Sequence, residues 1–436
     1  MIDENNNLEN KIIDTDKGRK KKINILYIII PIISIVIIAV VILLIVLLGS
    51  GSGNDNSQDN FYVCEEGDED KCFKCENNKC ISCNYRYKLI DGVCRANYSI
   101  KAIYEPINKD QKVRLIADSY KNNIINLEID NETITPDTLY NFKEPGIHIV
   151  YILMDISNLT SLSNLFNNAE DLVSVNFTKE FDTTNIKSIQ SMFYKCSKLV
   201  SIDISNFNIQ NVNSTAYLFY SCSILSTLKL PKTKSPLLER AESMFFGCSL
   251  LTSIDFSIFN SKYISNMENT FYKCASLKSL DLSFLETQNI VNLDDIFNGC
   301  ESLESMDLSN LKTPKLESMK NIFFGCSSLT SVSLSNFDTK NIQNFQSLFN
   351  RCSSLTSIDL SNFNTQNVTN MNYMFWGCNS LSYVDISHFS NSSLSGNFLL
   401  FDNELSKKGT IIVNNQFLAL IKSRIPESWN ITIKED

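Results

Sequence analysis

Asp359-Leu360-Ser361-Asn362-Phe363-Asn364-Thr365-Gln366-Asn367-Val368-Thr369-Asn370-Met371-Asn372-Tyr373-Met374-Phe375-Trp376-Gly377-Cys378 is one copy of a unit that recurs along this 436-residue chain. Its cysteine is the phase marker. Cysteines stand at 196, 222, 248, 274, 300, 326, 352 and 378, every interval being 26 residues. Three residues before each is a phenylalanine: Phe193, Phe219, Phe245, Phe271, Phe297, Phe323, Phe349 and Phe375. A ninth, degenerate copy precedes them one residue out of phase, with Phe166 and Ala169 in the two places. Internal repetition at a fixed period of this length overrides any domain count from chain length.

After each cysteine comes a leucine at +3 and apolar residues at +6 and +8, such as Leu355, Ile358 and Leu360. This is the L-x-x-L-x-L spacing of a leucine-rich repeat, whose last two apolar positions alternate on a short strand facing inward. Val368, Met371, Met374 and Phe375 follow at i, i+3, i+6 and i+7, one face of a short helix. The fold expected is therefore α/β: a leucine-rich-repeat solenoid over 156–395, with a short parallel strand plus a short helix per 26-residue coil. One unit cannot close a core, so stacking must bury the Leu, Ile, Phe and Cys columns, and the ends need caps. Residues 98–155 predict a β-rich N-terminal cap, and 396–436 a C-terminal cap around a short helix at 415–424. Strands about 4.8 Å apart make the nine-unit array roughly 40 Å long.

Upstream, Ile23 to Leu48 is apolar apart from Asn24, Tyr27, Pro31 and Ser34. A helix over 23–48 reaches roughly 39 Å at about 1.5 Å per residue, enough to cross a bilayer. Arg19, Lys20, Lys21 and Lys22 precede it and no Lys or Arg follows until Lys71, so residues 1–22 are expected in the cytoplasm and the rest outside. A signal-anchor is preferred to a cleaved signal because the apolar run exceeds a usual signal core. The expected location is thus the plasma membrane, single-pass, with a flexible linker over 49–60. Next, 61–97 holds Cys64, Cys72, Cys75, Cys80, Cys83 and Cys94. Outside a cell, six cysteines in so small a piece favour three disulfides, with a four-cysteine zinc site the alternative. Their pairing is not deducible from sequence.

The repeat units resemble the BspA-like leucine-rich-repeat surface proteins of bacteria and protists, over about 98–433. The run Cys72 to Cys94 resembles the furin-like or EGF-like cysteine-rich modules of protist surface proteins. The first resemblance implies cell-surface display, with adhesion to host or matrix molecules.

Function classes narrow quickly. With a net charge of −9 and a pI near 5.0, nucleic acid is not an expected partner. His148 and His388 are the only histidines, and no G-x-S-x-G, H-E-x-x-H, P-loop or dinucleotide fingerprint occurs, so neither an enzyme nor a cofactor or metal is expected. Three readings stand for the eight repeat cysteines: buried core filling, inter-coil disulfides, or redox or metal ligands, with core filling preferred. Between the two inward strand positions lies an outward column of Asp203, Asp255, Asp281, Asp307, Asp359 and Asp385, broken by Lys229 and Ser333. It is either a solvated face or a contact surface for an extracellular protein or glycan. Eight N-x-S/T sequons, at Asn97, Asn131, Asn158, Asn176, Asn213, Asn367, Asn391 and Asn430, allow a glycosylated exterior. Adhesion or recognition is the leading expectation; a passive surface coat, or less favourably a ligand-binding receptor, is the alternative. The sequence does not set the oligomeric state.

Overall fold

A computed structural model describes four strand backbones between residues 72 and 96, and residues 98–434 except 391–393, 395–398, 402–404 and 407. The expected tail, membrane segment 23–48, linker and Cys64 lie outside the described residues. Among the described residues no helix is long and apolar enough to cross a membrane.

The cysteine-rich stretch contributes two antiparallel hairpins: β1 (Cys72–Glu76) with β2 (Lys79–Cys83), and β3 (Tyr87–Ile90) with β4 (Val93–Ala96). The first sets Cys72 opposite Cys83 and Cys75 opposite Cys80.

Residues 98–155 are β-rich, as the sequence predicts. β5 (Ile100–Tyr104), β7 (Ile124–Ile129), β8 (Glu132–Ile134) and β10 (His148–Met154) form an antiparallel group, while β6 (Gln111–Arg114) pairs with β9 (Leu139–Phe142). The alternating burial of β5 follows from Ile100, Ala102 and Tyr104 sharing one pleated face. β5 also pairs antiparallel with β11 (Leu172–Phe177), the first strand of the repeats. From β11 the sheet turns parallel, through β12 (Ser201–Asp203) and β13 (Thr227–Lys229). Parallel pairing resumes with β14 (Ser305–Asp307) and β15 (Ser331–Ser333), and with β16 (Ser357–Asp359) and β17 (Tyr383–Ile386). The repeat region is a solenoid of stacked coils.

The helix expected in each coil is not there. Val368, Met371, Met374 and Phe375 are all buried, so the apolar face is real, but it rides on a run of tight turns. Hydrogen bonding explains why. The N–H groups of Asn321, Phe323 and Gly325 donate to the next coil, at Gln346 O (3.0 Å), Leu348 O (3.0 Å) and Asn350 O (2.7 Å). Those of Phe324 and Cys326 donate within the coil, to Asn321 O and Phe323 O (3.1 Å each). Alternate amides thus serve stacking and turning, whereas a helix would commit all of them to its own i−4 carbonyls. Two left-handed residues four apart seal the difference. One column runs Asn164, Ser191, Tyr217, Ser243, Asn269, Asp295, Asn321, Ser347, Tyr373, and the other Asn168, Lys195, Ser221, Gly247, Lys273, Gly299, Gly325, Arg351, Gly377, all with φ between 54° and 75°. A residue at positive φ cannot continue a right-handed helix.

The interior is a set of columns. Phe166, Phe193, Phe219, Phe245, Phe271, Phe297, Phe323, Phe349 and Phe375 stack with ring centroids 5.5–5.8 Å apart. Phe401 adds a further ring at 5.4 Å. The parallel sheet also continues past the repeats, from β17 to β18 (Thr410–Val413) and β19 (Asn430–Ile433). Between these strands lies the expected short helix, α1 (Asn415–Ile421) with a 3-10 turn at Lys422–Arg424; Asn414 caps it by accepting from Phe417 N.

Candidate functional site

The aspartate column lies on or beside the strand rungs, where the sequence puts it, but much of its chemistry is turned inward. In every case Oδ1 accepts the backbone N–H two residues on: Asp203 from Ser205, Asp255 from Ser257, Asp281 from Ser283, Asp307 from Ser309, Asp359 from Ser361 and Asp385 from Ser387, at 2.9–3.0 Å. These are Asx turns that bend the chain away from the strand. The same device recurs in one coil at Asn364 with Gln366 N (3.0 Å) and Asn370 with Asn372 N (3.0 Å), so Asp359 is one of three corner residues.

Hydrogen bonding from the Ser283 and Ser309 side chains, together with these backbone bonds, holds the carboxyls of Asp281 and Asp307 below the usual range. Asp203 is lowered too, its bonds to Ser205 and Lys229 outweighing the desolvation that opposes them. Lys229, which interrupts the column, pairs with Asp203 Oδ2 at 3.0 Å. Asp255, Asp281, Asp307 and Asp359 are exposed, whereas Asp385 is buried. Asp359 and Asp385 face each other across a parallel pair; Asp307 faces Ser333. No group of three or more metal-ligating side chains occurs among the described residues.

The eight repeat cysteines are buried free thiols. Each Sγ donates to the carbonyl of the phenylalanine one coil back, from Cys196 to Phe166 O (3.1 Å) through Cys378 to Phe349 O (3.1 Å). Burial raises the thiols of Cys196, Cys222, Cys248, Cys274, Cys326 and Cys352 and pushes that of Cys300 up to about 12. Such thiols are poor nucleophiles, since the thiolate is the reactive form.

Two surface features lie outside the predicted residues. An open depression of about 580 Å³ is lined by Val291, Pro314, Lys315, Glu317, Asn341, Gln343 and Asn367. Several of its polar groups are already engaged: Lys315 Nζ with Asn289 Oδ1 (2.7 Å), Asn341 Nδ2 with Pro314 O (2.9 Å) and Asn367 Nδ2 with Lys340 O (2.7 Å). The second feature is an outer aromatic column one residue after the core phenylalanines. Tyr194, Tyr220, Phe246 and Tyr272 stack at 4.3–4.7 Å. Lys195 lies over Tyr194, Lys273 over Tyr272 and Arg351 over the Phe324 ring. The column ends on Trp376, which meets Tyr373 edge to face at 5.5 Å and 83°. The signal sits inside the repeat motif, in Phe-Tyr-Lys-Cys, Phe-Phe-Gly-Cys and Phe-Trp-Gly-Cys, directly after its invariant phenylalanine.

Of the sequons, Asn131, Asn158, Asn176, Asn213, Asn367 and Asn430 are exposed; Asn97 and Asn391 lie outside the described residues.

Stacked coils, a ladder of core rings and side chains projecting from repeated corners define a β-solenoid repeat protein with little helix. The family described as "Mycoplasma protein of unknown function, DUF285" matches residues 149–249, 239–331 and 305–411, and the chain belongs to it. No curated protein matches the sequence.

Proposed function

We propose that this is a cell-surface recognition protein, of the BspA-like leucine-rich-repeat kind, whose extracellular solenoid binds a protein or glycan. The observation that carries the reading is the regularity of the outer columns. The same turn presents the same positions coil after coil, so residues 26 apart in sequence sit about 4.8 Å apart in space. A repeated surface of this sort suits an extended partner better than a small substrate. The basic run Arg19 to Lys22 before apolar residues 23–48 supports a single-pass anchor with the C-terminal part outside. Six exposed sequon asparagines agree with that side of the membrane.

Within this reading the antiparallel strands of 98–155 cap one end of the solenoid, and the 61–97 module is stapled by disulfides. The hairpin register that sets Cys72 opposite Cys83 and Cys75 opposite Cys80 supports the staples. The test is binding of the full-length chain to arrays of extracellular proteins and glycans. Saturable binding to one ligand class is expected; uniform silence would overturn recognition in favour of a passive coat.

A further inference from the structure

The inward columns of the strand side run off the C-terminal end of the solenoid uncovered. Ile358, Val384, Ile411 and Ile431 stand in register across β16 to β19, and Ile386, Val413 and Ile433 form the column beside them. Every member before β19 is buried, whereas Ile431 and Ile433 are 38% and 46% exposed. β19 is also the last strand of its sheet, with no strand beyond it among the described residues. Its backbone is half used. Asn430 N donates to Gly409 O at 2.8 Å and Lys434 N to Val413 O at 3.1 Å. Successive residues of a strand direct their amides and carbonyls to opposite sides, so those of Ile431 and Ile433 face the open edge.

The opposite end of the parallel ladder shows what closes such an edge. There β5 of the same chain lies antiparallel against β11, with Ala102 opposite Val175 and Ile100 opposite Phe177, and these residues are buried. An antiparallel strand thus both pairs the backbone and covers the inward apolar residues. The edge strand β8 is blunted in another way, being short and opening on the charged Glu132. β19, Asn430-Ile431-Thr432-Ile433, carries no charge. Its alternation of polar and apolar residues is the pattern that a strand laid against it would need.

We propose that β19 pairs edge to edge with β19 of a second copy of this chain, antiparallel, about a two-fold axis at Thr432. In that register Ile431 stands opposite the partner's Ile433, and Ile433 opposite the partner's Ile431. The amides and carbonyls that face the open edge then bond one another, because these residues fall in hydrogen-bonded pairs. Thr432 falls in the close, non-hydrogen-bonded pair on the axis, and the isoleucines of both copies gather on the inward face. An axis at Ile431 would set Ile433 against the partner's Trp429, and an axis at Ile433 would set Ile431 against the partner's Glu435. Only the axis at Thr432 matches each isoleucine to another. The contact is isologous, the same patch serving both copies. One strand pair is small beside the roughly 1,200–2,000 Å² of stable complexes, so the dimer is weak and depends on concentration. It stands whether or not the solenoid binds an extracellular ligand.

Full-length protein in detergent micelles is followed by sedimentation across about two decades of micromolar concentration. A monomer and dimer in equilibrium are expected. Ile433→Pro removes an amide that serves the open edge alone, and should weaken dimerisation at least about tenfold with the thermal midpoint little changed. Ile433→Lys, which keeps the backbone, should weaken it likewise. The register has its own test. Opposed residues of a non-hydrogen-bonded pair have Cα atoms about 4.5 Å apart, within the span of a disulfide. Thr432→Cys should therefore give a covalent dimer under mild oxidation that the parent chain does not, and Ile431→Cys, displaced from the axis, should give far less. Monomer throughout the range overturns the proposal. So does a dimer that survives both Ile433 variants, or cross-linking by Ile431→Cys equal to that by Thr432→Cys, either of which puts the contact elsewhere.

Discussion

The buried thiol ladder makes the solenoid sensitive to alkali in a way that can be calculated. Cys196, Cys222, Cys248, Cys274, Cys300, Cys326 and Cys352 all have raised folded-state values, with desolvation the first cause. In the unfolded chain a thiol ionises near about 8.5. Above that pH the unfolded chain releases protons that the folded chain keeps, so stability falls as pH rises. The contribution is whole below the unfolded value and drains away until the folded value, about 12 for Cys300, is reached. One pH unit above the unfolded value each thiol forfeits about 1.4 kcal/mol, and seven together forfeit on the order of 10 kcal/mol. That equals the whole stability of a typical domain, about 5–15 kcal/mol. The folded chain should therefore lose its far-UV circular dichroism steeply at about pH 9–10 and become alkylatable over the same interval. Replacing Cys274, Cys300 and Cys326 with Ala lowers stability by a pH-independent amount but should make the alkaline slope shallower by about three-sevenths. A triple variant with the parent's slope, or a parent equally stable at pH 7 and pH 10, would refute the argument.

Three further outcomes follow from the coil geometry. Phe297→Ala removes a ring stacked at 5.7 Å on both Phe271 and Phe323; it should cost about 3–5 kcal/mol and split urea unfolding into two phases, because a central defect uncouples the flanking coils. Gly377→Ala places a methyl 3.2 Å from Arg351 Cα at φ 74° and should destabilise by about 1–2 kcal/mol, whereas Ser221→Gly, at φ 58°, should leave thermal stability unchanged or raise it. The depressed carboxyls of Asp203, Asp281 and Asp307 give stability that is present above the ordinary carboxyl value and lost as pH falls through the folded one. Asn at these three positions keeps the Asx turn and should flatten the acid limb of the thermal-midpoint profile, while Ala should lower the midpoint at neutral pH as well.

What the sequence discloses and what it conceals divide along one physical line. Columns are legible because packing repeats with the chain: Phe193 to Phe375 and Cys196 to Cys378 are written at 26-residue intervals, and the stack they form is the solenoid core. Phe401 keeps that interval from Phe375 and could have been found; the absence of a cysteine three residues later hid the extra rung. Backbone handedness is not written in this way. Apolar residues at Val368, Met371, Met374 and Phe375 fit a helix as well as a run of turns, and the left-handed positions hold Ser, Lys, Tyr and Arg as readily as Gly and Asn. Nothing in those residue types announces positive φ, because the inter-coil hydrogen bonds that stabilise it belong to the neighbour and not to the coil itself. The same logic separates the two candidate surfaces. The aspartate column is conspicuous in sequence because every corner needs an Oδ1, so its regularity is first a consequence of turning. Tyr373 and Trp376 are conspicuous only against the repeat. Their exposure sets them apart and their backbone does not, because every coil places a residue of positive φ at the position of Tyr373 and an aromatic ring or an asparagine at that of Trp376.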